Sequence, residues 1–388
     1  MEYNISDILF NNTFGVNDNF TIVQNLSSGP HAYTPFSERP ETYIVPVVFA
    51  LIFVAGVLGN GTLVIVFLRH RAMRNIPNTY ILSLALADLL VIVSTVPFTS
   101  MTYTMESWPW GEAVCRISEC AKDISIGVSV FTLTALSADR YCAIVNPLRK
   151  LHAAGGGRYS TKSTVAAATV IWAISAGCSM PGLIGSHIRI FKSPVHEIRV
   201  CYPFPQEWGD GYPRAVVLAR FLVYYAIPLT VIGCFYALMA RHLVQSARNV
   251  PGEIHGAQRQ ILARRKVAIT VLAFVAAFAV CFLPYHVFMM WFYYTPTAKS
   301  DYNAFWHHFR ILGFCLSFMN SCVNPMALYC VSGAFRKYFN RYLLCRGSAK
   351  GKKTGTELVQ RATTMSLTAS RRNQSTSLYR FPITMIRR

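Results

Sequence analysis

Residues 124–141 read ISIGVSVFTLTALSADRY. From Ile124 to Ala138 every residue is apolar or small, and then an acid, a base and a phenol arrive together as Asp139, Arg140 and Tyr141. An arginine at that depth is expensive in hydrocarbon, so a membrane helix that ends this way does so for a purpose. The triplet points to a membrane switch rather than to an anchor or a soluble enzyme.

Composition extends that reading to the whole chain. The 388 residues are 53% hydrophobic and 14% charged, with a mean hydropathy of +0.34. Soluble domains carry roughly 25% charged residues. Seven apolar stretches, at about 43–68, 78–103, 112–141, 163–185, 215–240, 266–294 and 305–331, are long enough to cross a bilayer as helices. They are too long and continuous for barrel strands, so helices remain as the way to satisfy the backbone in lipid. The expected fold is an all-α membrane protein, a seven-transmembrane helix bundle with a short cytoplasmic amphipathic eighth helix.

The net charge of +20 is an orientation signal rather than a nucleic-acid signal. Arg69, Arg71 and Arg74 follow the first stretch, Arg149, Lys150, Arg158 and Lys162 follow the third, and Arg241 to Lys266 bring more bases after the fifth. The tail from Ser332 is strongly basic, with Glu357 its one acid. These connections alternate, so they share one side, and basic excess marks it as cytoplasmic. The acidic N-terminus is then outside, at the plasma membrane, and the basic face meets anionic lipid. Four domains follow. Residues 1–42 form an extracellular disordered segment glycosylated at the sequons of Asn4, Asn11, Asn19 and Asn25. The bundle is 43–331, a membrane-surface helix 332–345, and a basic Ser/Thr-rich tail 346–388. No cleavable signal peptide is visible, and the first span serves as the targeting signal.

Cys115 opens the third span on the outer side and Cys201 lies in the long outer connection between spans four and five. The exterior is oxidising, so these two are expected to pair. Cys120 is the competing partner, disfavoured by lying about one turn deeper. Asp88 interrupts an apolar second span, and an intramembrane carboxylate marks a functional site by default. With Ser129, Asn320 and Asn324 it forms a candidate oxygen site for a sodium ion, joined by Asn60 and Ser321. The alternative is a water-filled hydrogen-bond network. No other cofactor is expected.

At these residues the chain resembles a rhodopsin-like (class A) G-protein-coupled receptor, over about residues 43–345. The matching positions are Gly59-Asn60, LALAD at 84–88, Trp110 with Cys115, Asp139-Arg140-Tyr141, Trp172, Pro228 with Tyr236, CFLP at 281–284, and Asn324-Pro325 through Tyr329. GVSVFTLTALSADRY at 127–141 and MRNIPNT at 73–79 are similar to the bombesin-receptor branch. The resemblance implies a short amidated neuropeptide hormone as agonist and a heterotrimeric G protein of the Gq type. It implies that Asp139 holds Arg140 at rest. On activation span six swings outward, Arg140 helps receive the C-terminal helix of Gα, and Tyr236 and Tyr329 move in to support it. Pro147 and Leu148 correspond to the hydrophobic contact with Gα. Two positions depart from the family. Phe282 stands where Trp is usual, and Arg264-Arg265-Lys266 offers no acid to Arg140, so an ionic lock from span six is expected to be missing.

Lys122 lies 17 residues before Asp139, where amine receptors carry an aspartate, and it repels cationic amines. Asp123 is one residue on, about 100° around the helix, and is expected to face elsewhere. Arg220 and Arg310 are expected to form a basic cavity floor with Lys122. Glu119, Asp210 and Asp301 are set to take positive ligand groups. Phe282, Tyr285, His286, Phe288, Met289, Phe292 and Tyr293 supply aromatic and soft apolar area. For His286, packing and ligand contact are equal alternatives. The alternation in 186–201 around Ser193-Pro194 suggests a hairpin lid. Residues 333–345 form an amphipathic pattern ending at Cys345, a palmitoylation candidate. The Ser/Thr residues beyond are candidates for a receptor kinase and then arrestin. The competing readings are a receptor for a lipid or other small molecule, and a membrane transporter. The absence of repeated halves disfavours the transporter. No HExxH or GxSxG motif is present, so the chain is not read as an enzyme.

Overall fold

The computed structural model describes residues 38–70, 76–105, 107–145, 157–192, 197–248 and 255–343. Among them, seven helices are long and apolar enough to span a bilayer: Pro40–Arg69, Asn78–Met101, Gly111–Val145, Lys162–Gly185, Gly211–His242, Val271–Tyr294 and Ala304–Cys330. They coincide with the seven apolar stretches and are numbered here as spans one to seven. All seven belong to one compact unit that ends at Arg336, and the chain from Lys337 belongs to a second. A short helix, Gly333–Leu343, follows the seventh span. Asn4, Asn11, Asn19, Asn25, Pro147, Leu148, Cys345 and the Ser/Thr tail lie outside the described residues, as do the side chains of Arg264, Arg265 and Lys266.

Apolar residues face both lipid and core, so hydrophobicity alone does not orient a span. In span one Leu51, Val54 and Leu58 are exposed while Phe49, Ile52 and Asn60 are buried. Small and polar residues choose the inner face instead, because they permit close approach and find hydrogen-bond partners only inside. A Cβ on Gly59 would lie 2.6 Å from Pro325 Cγ, which fixes span one against span seven. One on Gly313 would lie 2.9 Å from the Tyr285 backbone nitrogen, so spans six and seven meet backbone to backbone. Polar crosslinks add direction. Thr95 Oγ1 donates to Ser118 O at 3.2 Å and Ser118 Oγ donates to Ser94 O at 3.0 Å, tying spans two and three. Trp172 Nε1 donates to Ser83 Oγ at 3.0 Å.

Prolines shape spans five, six and seven. Pro284 and Pro325 lie inside the helices of spans six and seven. Span five widens into a π turn at Leu222–Ala226 just before Pro228. Proline cannot donate to the residue four back and crowds its carbonyl, and a π turn relieves that conflict.

The connection between spans four and five is a hairpin, strands β1 (His187–Lys192) and β2 (Glu197–Tyr202), paired antiparallel with Ile188 opposite Cys201. The alternation read from sequence is therefore a strand pair. Cys115 and Cys201 form the disulfide, while Cys120 is a free thiol beside Ser179. Three hydrogen bonds help hold the hairpin: Trp108 N to Arg199 O at 2.8 Å, Arg199 N to Ser107 Oγ at 3.0 Å, and Arg116 Nε to Ser186 O at 3.0 Å. Trp108 is the buried tryptophan of this corner, whereas Trp110 is exposed.

Candidate functional site

A cavity opens within the bundle. Its wall on span three is Glu119, Lys122, Asp123, Ser125, Ile126 and Ser129, a broad helical face that includes adjacent residues. Span five contributes Arg220, span six Phe282 and Tyr285, and span seven Phe314, Ser317, Asn320 and Ser321.

Four charges line this space and they are paired. Arg220 Nη2 donates to Asp123 Oδ2 at 2.7 Å, with the two side chains 12% and 6% exposed. Lys122 pairs with Glu119 one helical turn away. Tyr285 brings its hydroxyl to Arg220 from span six. Gly182 of span four closes the other side, since a Cβ there would lie 3.1 Å from Asp123 Oδ2 and 3.4 Å from Arg220 Nη2. The expected basic floor is thus a charge-balanced cluster, and Asp123 faces the cavity rather than away from it. One residue of rotation does not take a side chain out of a site that covers so broad a face of span three.

Other expected residues are distributed differently. His286 is buried against the rings of Phe221, Tyr225 and Tyr285 at centroid distances of 5.6, 4.9 and 5.3 Å. It packs between spans five and six and is not among the residues lining the cavity. Met289, Phe288, Phe292 and Tyr293 belong to an outer aromatic core with Tyr202, Phe204 and Tyr302. Arg310 is half-buried and also off the cavity wall. Asp210 and Asp301 are exposed, one before span five and the other before span seven. The hairpin seals onto this aromatic core through Tyr202, whose burial raises the phenol above its ordinary value while Arg189 pulls it back.

The inner end of the cavity reaches Ser129, Asn320 and Ser321. Nearby, Asn324 Nδ2 donates to Asp88 Oδ2 at 2.8 Å and Asn60 Nδ2 donates to Ser321 O at 2.8 Å. Asp88 Oδ1 and Ser129 Oγ are buried with no hydrogen-bond partner among the described residues. Such orphaned oxygens are costly unless something completes them. A hard cation that takes oxygen ligands fits this donor set.

At the opposite end, Arg140 Nη2 donates to Asp139 Oδ2 at 2.6 Å. Tyr141 packs on Phe235 with ring centroids 5.6 Å apart. Tyr236 donates its hydroxyl to Ala268 O of the sixth helix at 2.8 Å, so spans five and six are tied here. The last turn of span seven is capped by Arg336, which donates to Tyr329 O at 3.1 Å and Cys330 O at 2.6 Å. Cations at a helix C-terminus satisfy its free carbonyls and oppose its dipole.

Comparison with known proteins gives three findings. A family profile described as 7 transmembrane receptor (rhodopsin family) matches residues 59–329. The Neuropeptide CCHamide-1 receptor of Drosophila melanogaster is 60% identical over 365 residues, covering 93% of this chain and 72% of that protein. A bombesin receptor of Bombina orientalis is 38% identical over 305 residues, covering 78% and 76% of the two chains.

Proposed function

This chain belongs to the rhodopsin family of seven-transmembrane receptors, and from that premise we propose that it is a receptor for an amidated neuropeptide of the CCHamide and bombesin type. The 60% identity to a CCHamide-1 receptor across 93% of the chain carries this reading. The cavity agrees with it in kind. It mixes aromatic walls with a few polar anchors, as peptide pockets do, and the same bundle carries a disulfide-anchored hairpin.

The proposed mechanism begins at that cavity. A peptide end entering it meets Glu119, Lys122, Asp123, Arg220 and Tyr285 and presses on Phe282, which is buried and packed on Phe278 at 4.6 Å. Phe282 lies just before Pro284, where the missing backbone donor lets span six bend. Outward movement of span six separates Tyr236 from Ala268 O, and Arg140 leaves Asp139 to receive the C-terminal helix of a Gα subunit. Coupling is to a Gq-type heterotrimer, with Pro147 and Leu148 as a further Gα contact. Asp88, Ser129, Asn320 and Asn324 would hold a sodium ion, which supplies a positive charge opposite the buried carboxylate. The receptor sits in the plasma membrane with its glycosylated N-terminus outside. Its tail is a substrate for a receptor kinase and a site for arrestin, with Cys345 palmitoylated.

The experiment is a calcium readout in cells expressing the full chain. Amidated CCHamide-1 is expected to give a saturable response. Silence to this peptide at normal surface expression, beside a response to a lipid panel, would overturn the reading.

A further inference from the structure

We propose that Asp123 is a specificity-determining residue: it makes the deep cavity accept an uncharged carbonyl terminus, such as a carboxamide, and reject a carboxylate. This rests on the peptide reading above. The observation behind it is the charge balance of the site. Two acids, Glu119 and Asp123, face two bases, Lys122 and Arg220, and each base already has its acid. Asp123 and Arg220 are almost fully enclosed, with Gly182 pressed against them on one side and Tyr285 on another.

A carboxylate entering this space finds no free cation. It would have to displace Asp123 from Arg220, leaving a buried acid without its partner, which is strongly unfavourable. A carbonyl oxygen needs only a donor. A guanidinium has five N–H groups, and those not used on Asp123 and Tyr285 serve a neutral acceptor without breaking the pair. Asp123 therefore cancels the charge of Arg220 while leaving its donors in place. Without Asp123 the cavity would carry a net positive charge and favour the acid. Without Arg220 it would carry a net negative charge and reject the acid more strongly.

The two cases move in opposite directions, which a general loss of structure does not imitate. Amidated CCHamide-1 and its free-acid form are compared for potency on the full chain at matched surface expression. The native receptor is expected to prefer the amide. Asp123→Asn is expected to shrink the amide-to-acid potency ratio by about tenfold or more, the scale of a close charge coupling. Arg220→Gln is expected to enlarge it, and Asp123→Glu, which keeps the charge, to leave it near the native value. Either neutral variant alone suffices if the other fails to reach the surface. A ratio unmoved by the neutral variants overturns the role of Asp123 and leaves the peptide reading standing. Native silence to both forms overturns the peptide reading first, and this inference with it.

Discussion

Arg220 and Asp123 join spans five and three at 2.7 Å in the interior of the bundle. Both are enclosed, so each is the other's main compensation for leaving water. Breaking such a pair from one side costs about 3–5 kcal/mol, whereas removing both charges together is far less damaging. Arg220→Ala is therefore expected to lower the melting temperature of the detergent-purified receptor markedly. Asp123→Asn combined with Arg220→Gln is expected to recover much of that loss. A double variant as unstable as Arg220→Ala would mean that the pair does not hold the two spans together.

Gly313 leaves room for the backbone of span six, with an added Cβ only 2.9 Å from Tyr285 N. Backbone cannot step aside as a side-chain tip can. Gly313→Ala is expected to cost about 1–3 kcal/mol and Gly313→Val more, read as falling surface expression and melting temperature in that order. By contrast Gly233 has open space around it, and Gly233→Ala is expected to be tolerated. Equal behaviour at the two positions would contradict the close approach of spans six and seven.

The Cys115–Cys201 bridge spans 86 residues of chain and fixes β2 to span three. Cys115→Ser and Cys201→Ser are each expected to lose most agonist potency, through loss of the anchored hairpin. The double variant is expected to be no worse than either, because one bond is removed in all three. Additive losses would show that the two cysteines act separately.

Among the described residues, Asp88 has an oxygen with no hydrogen-bond partner, and Ser129 has another. If a sodium ion completes them, agonist affinity in native membranes falls as sodium replaces an inert organic cation. Asp88→Asn is expected to abolish that sensitivity. Sodium dependence that survives the substitution would remove the ion site.

Arg140 is paired with Asp139, and Tyr236 ties the fifth span to Ala268 O of the sixth. The Tyr236 tie needs no charge on span six. Asp139→Asn is expected to raise ligand-free signalling several-fold. Basal signalling equal to the native receptor would show that the pair does not restrain it.

The spans were legible because length and hydropathy suffice in lipid, and the hairpin because alternation marks strands. Facing was harder to read. One step of helical angle turns Asp123 away from Lys122, although the cavity face of span three is broad enough to take both. Because both faces of a membrane helix are apolar, sequence leaves packing and ligand contact as equal alternatives for His286 and counts Met289 as pocket area. Their packing partners, Phe221 and Tyr225 on span five and the hairpin's Tyr202, come from distant sequence. The π turn at Leu222–Ala226 adds to this, since an extra residue in a turn shifts the facing of Arg220 relative to everything after it. Nothing in the local sequence states that shift.

In the proposed function a peptide signal passes from the charged cavity to Arg140. Its most direct test is nucleotide exchange on purified Gq heterotrimer, in membranes holding the native receptor or Arg140→Ala. Amidated CCHamide-1 is expected to bind both receptors and to accelerate exchange only with the native one. Acceleration that persists with Arg140→Ala, or bound peptide that accelerates nothing with the native receptor, would contradict it.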